Sequence, residues 1–225
     1  LLKKSRQNNP RKQPLVITES LFSMEGTTAP IKEISKLCIQ YDSKLLIDEA
    51  HAFGVMGSAG RGESFELKEP ISIISGTFGK AFGSGGAFLA TDKITGQNLI
   101  QNCGAFRYTT ALAPPLCASA LAALNLIKSN PNWGSELKEK SKALRDRLSQ
   151  VGWQRPAGEG PIISIILGSD RLAMDYQKRL EAQGLLTVAI RPPTVPEGKS
   201  RLRLVIRRNT PDQAFERLIE ILKNK

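Results

Sequence analysis

The sequence predicts an α/β fold, a mostly parallel sheet layered with helices, followed by a smaller α+β unit. Three observations carry this expectation. Short, continuously apolar runs recur at residues 15–18, 44–48, 71–75 and 86–90, the pattern of strands buried on both faces. An amphipathic segment lies between the first two runs, giving a strand–helix–strand order that calls for parallel pairing. After Pro114-Pro115 the order changes to long helical segments and then to a second group of strands.

In chain order, the first fifteen residues are basic and polar and lead straight into the apolar run Leu15-Val16-Ile17-Thr18. Glu19 and Ser20, then Ser23, Glu25 and Gly26, read as a loop leaving a buried strand. Pro30 suits a first helical turn, and residues 30–41 place Ile31, Ile34, Leu37 and Cys38 on one face. Residues 44–48, 71–75 and 86–90 supply the second, third and fourth strands. Residues 116–128 form an alanine- and leucine-rich helix, and a charged amphipathic helix follows Asn130-Pro131 and runs to about Gln150. The remainder carries strands at 162–167, 185–190 and 202–206, with helices near 170–183 and 211–223. Thr210 before Pro211 and Asp212 marks the start of the last helix. The expected division is 1–128 as part of a large sheet domain and 129–225 as a small domain.

Composition narrows the class. With 225 residues, 40% hydrophobic and 24% charged, the chain has enough apolar residues for a sizeable core. No run of eighteen apolar residues exists to span a membrane, and Lys3 and Lys4 make the start too polar for a signal peptide, so a cytoplasmic location is expected. The start at Leu1 is read as that of a fragment. Cys38, Cys103 and Cys117 have no metal-ligand spacing and there is one histidine, so no metal site and reduced, mostly buried thiols are expected. The net charge of +11 raises a nucleic-acid reading. Against it, the basic residues are dispersed and aromatics, 6% of the chain, form no stacking platform among them, so no nucleic-acid partner is expected; it stands as the rival from a different class, with steeply salt-dependent DNA or RNA affinity as its signature. A missing acidic segment or an anionic substrate would account for the charge equally well.

The densest chemistry is Asp48-Glu49-Ala50-His51, directly after a buried strand. A DEAH-type ATPase would need a phosphate loop of the form GxxxxGK[ST]. Near Gly79-Lys80 that pattern breaks, with Ile74 where glycine is required and Ala81 where a hydroxyl is required. Pairing the two clusters works better. A lysine that anchors pyridoxal phosphate needs a fixed turn, and an acid must keep the pyridine nitrogen protonated. Lys80 and Asp48 suit those roles, and Gly76, Gly79, Gly83, Gly85 and Gly86 allow a bulky ligand close to the backbone. Thr77 is placed to donate to a phosphate.

Ser23-Met24-Glu25-Gly26, then 48–51 with 54–62, then 76–83, match the order and spacing of the α-oxoamine synthases, and the chain resembles that family from residue 14 onward. The resemblance implies a fold-type I pyridoxal-phosphate transferase. Phe106-Arg107-Tyr108-Thr109-Thr110-Ala111, and Arg191-Pro192-Pro193-Thr194-Val195-Pro196 followed by Arg201-Leu202-Arg203-Leu204, resemble the member of the biotin pathway. Its reaction condenses L-alanine with pimeloyl-CoA or pimeloyl-acyl carrier protein, releasing CO2 and the thiol. The resemblance further implies that Lys80 holds the cofactor as an internal aldimine and acts as the base. Asp48 pairs with the pyridine nitrogen, Ser23 and His51 lie near the ring's phenolic oxygen, and Thr77 binds the phosphate. Thr110 reaches the phosphate of the neighbouring subunit in a homodimer with shared active sites. Arg203 grips the substrate carboxylate, with Arg191 shaping that pocket. Family members carry a further N-terminal half, with a glycine-rich phosphate-binding stretch and a ring-stacking histidine that this chain lacks. Another α-oxoamine synthase, such as glycine C-acetyltransferase, and an inactive truncated remnant stand as the alternatives.

Overall fold

A computed structural model describes residues 1–69 and 71–223. The chain folds into two compact units, one formed by Leu1–Leu21 and Ala29–Gly134, the other by Phe22–Thr28 and Ser135–Lys225.

The first unit holds a four-stranded sheet of β1 (Leu15–Glu19), β2 (Lys44–Asp48), β3 (Ile73–Thr77) and β4 (Ala87–Thr91), in that spatial order. The first three strands are parallel and β4 is antiparallel to β3. The short link between β3 and β4 dictates that reversal, because a parallel return needs a crossover of about a dozen residues or more. β3 lies two residues later than the sequence predicts, so Thr77 ends the strand instead of opening the loop. The helices are α1 (Leu2–Asn8), α2 (Ile31–Gln40), α3 (Lys93–Asn102), α4 (Gly104–Arg107) and α5 (Pro114–Ser129).

In the core, Ile31 and Cys38 of α2 pack on Leu45 and Ile47 of β2, with Val16, Ile34 and Ile71 alongside. Leu37, expected on the same buried face, is exposed, and so are Leu15 and Ile17 of β1. Burial of β1 on both faces is therefore not achieved within this unit. The sequence reading missed α1, α3 and α4. α1 buries no residue, and α3 has only a weak apolar stripe; its start is set by Asp92, whose carboxylate accepts the Thr95 N–H (3.0 Å) and hydroxyl (2.6 Å). These two bonds hold the exposed Asp92 carboxyl below its ordinary pKa.

The second unit contains all but the first two residues of α6 (Trp133–Gln150), then β5 (Ile162–Gly168), α7 (Asp170–Ala182), β6 (Val188–Ile190), β7 (Ser200–Val205) and α8 (Asp212–Lys223). Its sheet runs β5-β7-β6, antiparallel throughout. Leu144 and Leu148 of α6, Ile163 and Ile165 of β5, Leu202 and Leu204 of β7, and Leu218 and Leu222 of α8 are buried. β6 is shorter than the expected strand. The Thr210 hydroxyl accepts from the Arg207 N–H (3.1 Å), closing the turn ahead of α8. Arg145, a buried cation on the charged helix, was not anticipated. Its Nη2 donates to the Gly160 and Ile162 carbonyls (both 2.8 Å), and its burial lowers its pKa to about 10. The cysteines are free, but only Cys38 is buried, and Cys117 is exposed on α5. Burial raises the pKa of the Cys38 thiol. Among the described residues, no helix is long and apolar enough to cross a membrane.

Candidate functional site

Asp48 is the last residue of β2, at the carboxyl edge of the parallel strands, where side chains can reach a ligand while the sheet fixes the backbone. Its Oδ1 accepts the Ala50 N–H (2.7 Å) and its Oδ2 accepts the Ser75 hydroxyl (2.8 Å). Ser75 stands directly opposite in the β2–β3 register, so the sheet delivers that partner. The carboxylate is oriented yet only half buried. With one donor on each oxygen it retains lone pairs for a further donor.

Glu49, next in the chain, has the opposite fate. It is fully buried, and its carboxylate accepts the Ser20 hydroxyl (2.6 Å) and the backbone N–H groups of Ser64 (2.7 Å) and Glu63 (3.3 Å). Gly62, at a φ of +89°, lies where an added Cβ would come within 3.0 Å of that carboxylate. Glu49 is therefore a structural acid that ties the glycine-rich loop 54–62 back to the sheet. The Asp-Glu pair alone did not reveal which acid faces outward. The period-2 alternation of a strand holds the clue, since Ile47 and Glu49 point to the same buried side. His51 is half buried in the turn that follows, where the Ala52 and Phe53 N–H groups both donate to the Glu49 carbonyl (2.9 Å).

Lys80 is exposed, three residues beyond β3 on the turn into β4. That turn is internally fastened. Phe78 N–H donates to the Gly86 carbonyl (2.9 Å), Gly83 N–H to the Lys80 carbonyl (2.9 Å) and Ser84 N–H to the Phe78 carbonyl (2.8 Å). Thr77 contributes to the same turn, its hydroxyl donating to the Gly86 carbonyl (3.0 Å) and accepting the Gly79 N–H (3.1 Å). Phe78 and Phe82 pack edge to face, and Phe88 makes tilted ring contacts with Phe53 and Phe78. A Cβ on Gly76 would lie 2.5 Å from the Phe88 ring, so this position has no room for a side chain. Thr110 is exposed in the link between α4 and α5.

The second unit brings together Ser23 and Arg203. Arg203 Nε donates to the Ser23 carbonyl at 2.7 Å across 180 residues of chain, and burial lowers the pKa of its guanidinium. Arg191 is exposed just after β6, its carbonyl accepting the Thr194 N–H (3.0 Å) across the cis Pro192-Pro193 bond.

The aminotransferase class I and II family profile matches residues 1–222. The 8-amino-7-oxononanoate synthase of Nitrosospira multiformis is 39% identical over 87% of this chain and 50% of its own length. Among solved structures, Sphingomonas wittichii serine palmitoyltransferase superposes with a TM-score of 0.90 at 26% identity, over 99% of this chain and 57% of its own. The 8-amino-7-oxononanoate synthase of Francisella tularensis superposes at 0.82 and 26%, over 98% and 65%. The chain spans about half the length of the curated relatives it matches.

Proposed function

The chain belongs to the aminotransferase class I and II family, and from that premise we propose that the whole protein condenses L-alanine with a pimeloyl thioester of CoA or acyl carrier protein. The products are 8-amino-7-oxononanoate, CO2 and the free thiol, a step of biotin biosynthesis, and the working form is a cytoplasmic homodimer. The first unit is assigned to the large cofactor-binding domain and the second to the small domain.

The observation that carries this reading is the Asp48 carboxylate, oriented by Ala50 and Ser75 at the end of β2 with acceptor capacity to spare, next to the strand whose following turn bears Lys80. This pair fits pyridoxal phosphate, the cofactor of the family: a lysine for the covalent link and an acid for the pyridine nitrogen. When bound, the cofactor supplies an electron sink for the charge left on the amino acid's α-carbon.

Each residue then has a task. Asp48 keeps the pyridine nitrogen protonated. Lys80 would hold the cofactor covalently, and as a free amine it would take the amino acid's α-proton. The α-carbon would add to the thioester carbonyl and expel the thiolate, which takes up a proton to give the free thiol; loss of the carboxyl group as CO2 would leave an electron pair on the α-carbon, to which the Lys80 ammonium can return a proton. Ser23 and His51 are assigned to the phenolic oxygen, and Thr110 to the phosphate in the neighbouring subunit. Thr77 is assigned to the phosphate in its own subunit, which requires its hydroxyl proton to leave the Gly86 carbonyl. Arg203 holds the amino-acid carboxylate, and Arg191 shapes the pocket.

The test is turnover of the full-length protein with L-alanine, glycine and L-serine, each against pimeloyl, acetyl and palmitoyl thioesters. The reading expects alanine with the pimeloyl thioester to dominate. Preference for serine with palmitoyl, or glycine with acetyl, would move the protein to another branch of the family.

A further inference from the structure

Three polar side chains of the second unit share one face of its sheet. Ser164 of β5 lies directly opposite Arg203 of β7, and Arg201, two residues along β7, points the same way. All three reach the segment Phe22–Thr28. The Ser164 hydroxyl donates to the Met24 carbonyl, Arg203 Nε to the Ser23 carbonyl (2.7 Å), and Arg201 Nη1 to Glu25 Oε1 (2.9 Å). Arg201 is buried while Glu25 is half exposed, so the buried cation is paired by this carboxylate, and its Nε is satisfied by the Lys199 carbonyl (3.1 Å). The backbone is equally close, since an added Cβ on Gly26, at a φ of +70°, would fall 2.1 Å from the Ile162 carbonyl oxygen.

The geometry has a consequence for Arg203. A carboxylate can meet a guanidinium side-on, through Nε and one Nη, or end-on, through both Nη groups. The Ser23 carbonyl occupies Nε, and the two Nη groups make no hydrogen bond among the described residues. Only the end-on face is left for a ligand.

We propose that the Glu25–Arg201 ion pair, with the Ser164 hydroxyl, is a positioning brace that holds the Ser23 carbonyl on Arg203 Nε and thereby presents both Nη groups of Arg203 end-on to the substrate carboxylate. The proposal rests on the reading of Arg203 as the carboxylate-binding residue. In this role Glu25, Arg201 and Ser164 act through Ser23 and Arg203, by the bonds that fix the segment Phe22–Thr28. Loss of the brace frees Arg203 to rotate, which weakens carboxylate binding while leaving the groups that move protons in place.

The experiment compares full-length wild type with Glu25→Gln, Arg201→Met, their double variant and the conservative Glu25→Asp. It measures the L-alanine dissociation constant from the cofactor's visible absorbance, KM and kcat for both substrates, and the melting temperature. Glu25→Gln and Arg201→Met are expected to raise the L-alanine dissociation constant and KM about ten-fold, with kcat within about three-fold and the thioester KM unchanged. The double variant should be no worse than Arg201→Met alone, and Glu25→Asp should recover part of the loss. Wild-type binding of L-alanine combined with unchanged affinity in both single variants overturns the brace, even if their melting temperatures fall. No wild-type response to any amino acid overturns the reaction reading and the brace with it.

Discussion

The two units hold their polar groups by different means. In the first, Asp48 sits at a strand end and is oriented by a backbone N–H two residues on and a hydroxyl on the adjacent strand. In the second, Ser164, Arg201 and Arg203 project from a sheet face and grip a segment 140 to 180 residues earlier in the chain. A strand end presents a group outward with a few short-range bonds. A sheet face instead joins distant parts of the chain, and its geometry depends on register: a one-residue slip of β7 would turn both arginines to the opposite side.

The contrast between strand-end presentation and structural burial is sharpest at the neighbours Asp48 and Glu49, and substitutions there can break it. Asp48→Asn is expected to lower turnover of the full-length protein by at least about a hundred-fold, because a neutral amide cannot keep the pyridine nitrogen protonated. Its folding free energy should change by about 1 kcal/mol or less, since the amide oxygen still accepts from Ala50 and the Ser75 hydroxyl can accept in place of donating. Glu49→Ala is expected to do the reverse. Three donors, two of them buried, lose their acceptor, which costs about 2–4 kcal/mol in urea unfolding. Comparable destabilisation by both substitutions would erase the distinction. Ser75→Ala gives the smallest effect, about 1 kcal/mol in stability, with a measurable loss of cofactor affinity because one oxygen of Asp48 loses its partner.

What the sequence revealed follows the same division. The existence of the first unit's strands, the parallel pairing of β1 to β3, the place of Asp48 at the end of β2 and that of Lys80 on the turn after β3 follow from local apolar runs and glycine spacing. The antiparallel turn of β4 followed from the length of its connection, but counting strands alone did not show it. Glu49 was obscured because two adjacent acids look alike until strand alternation assigns one to the inside. The attachment of Phe22–Thr28 to the second unit, and with it the Glu25–Arg201 pair, carries no local signal. Only the folded chain brings together residues so far apart in sequence. Leu15, Ile17 and Leu37 were expected to be buried, yet are exposed in a chain about half as long as its relatives.

The central claim is that Lys80, on its fastened turn after β3, is the covalent anchor of pyridoxal phosphate. The most direct measurement is the visible absorbance of the full-length protein incubated with pyridoxal phosphate, read for wild type and Lys80→Ala together with turnover. The account predicts that the wild-type band near the edge of the visible range and all turnover disappear in Lys80→Ala. Persistence of both would contradict it.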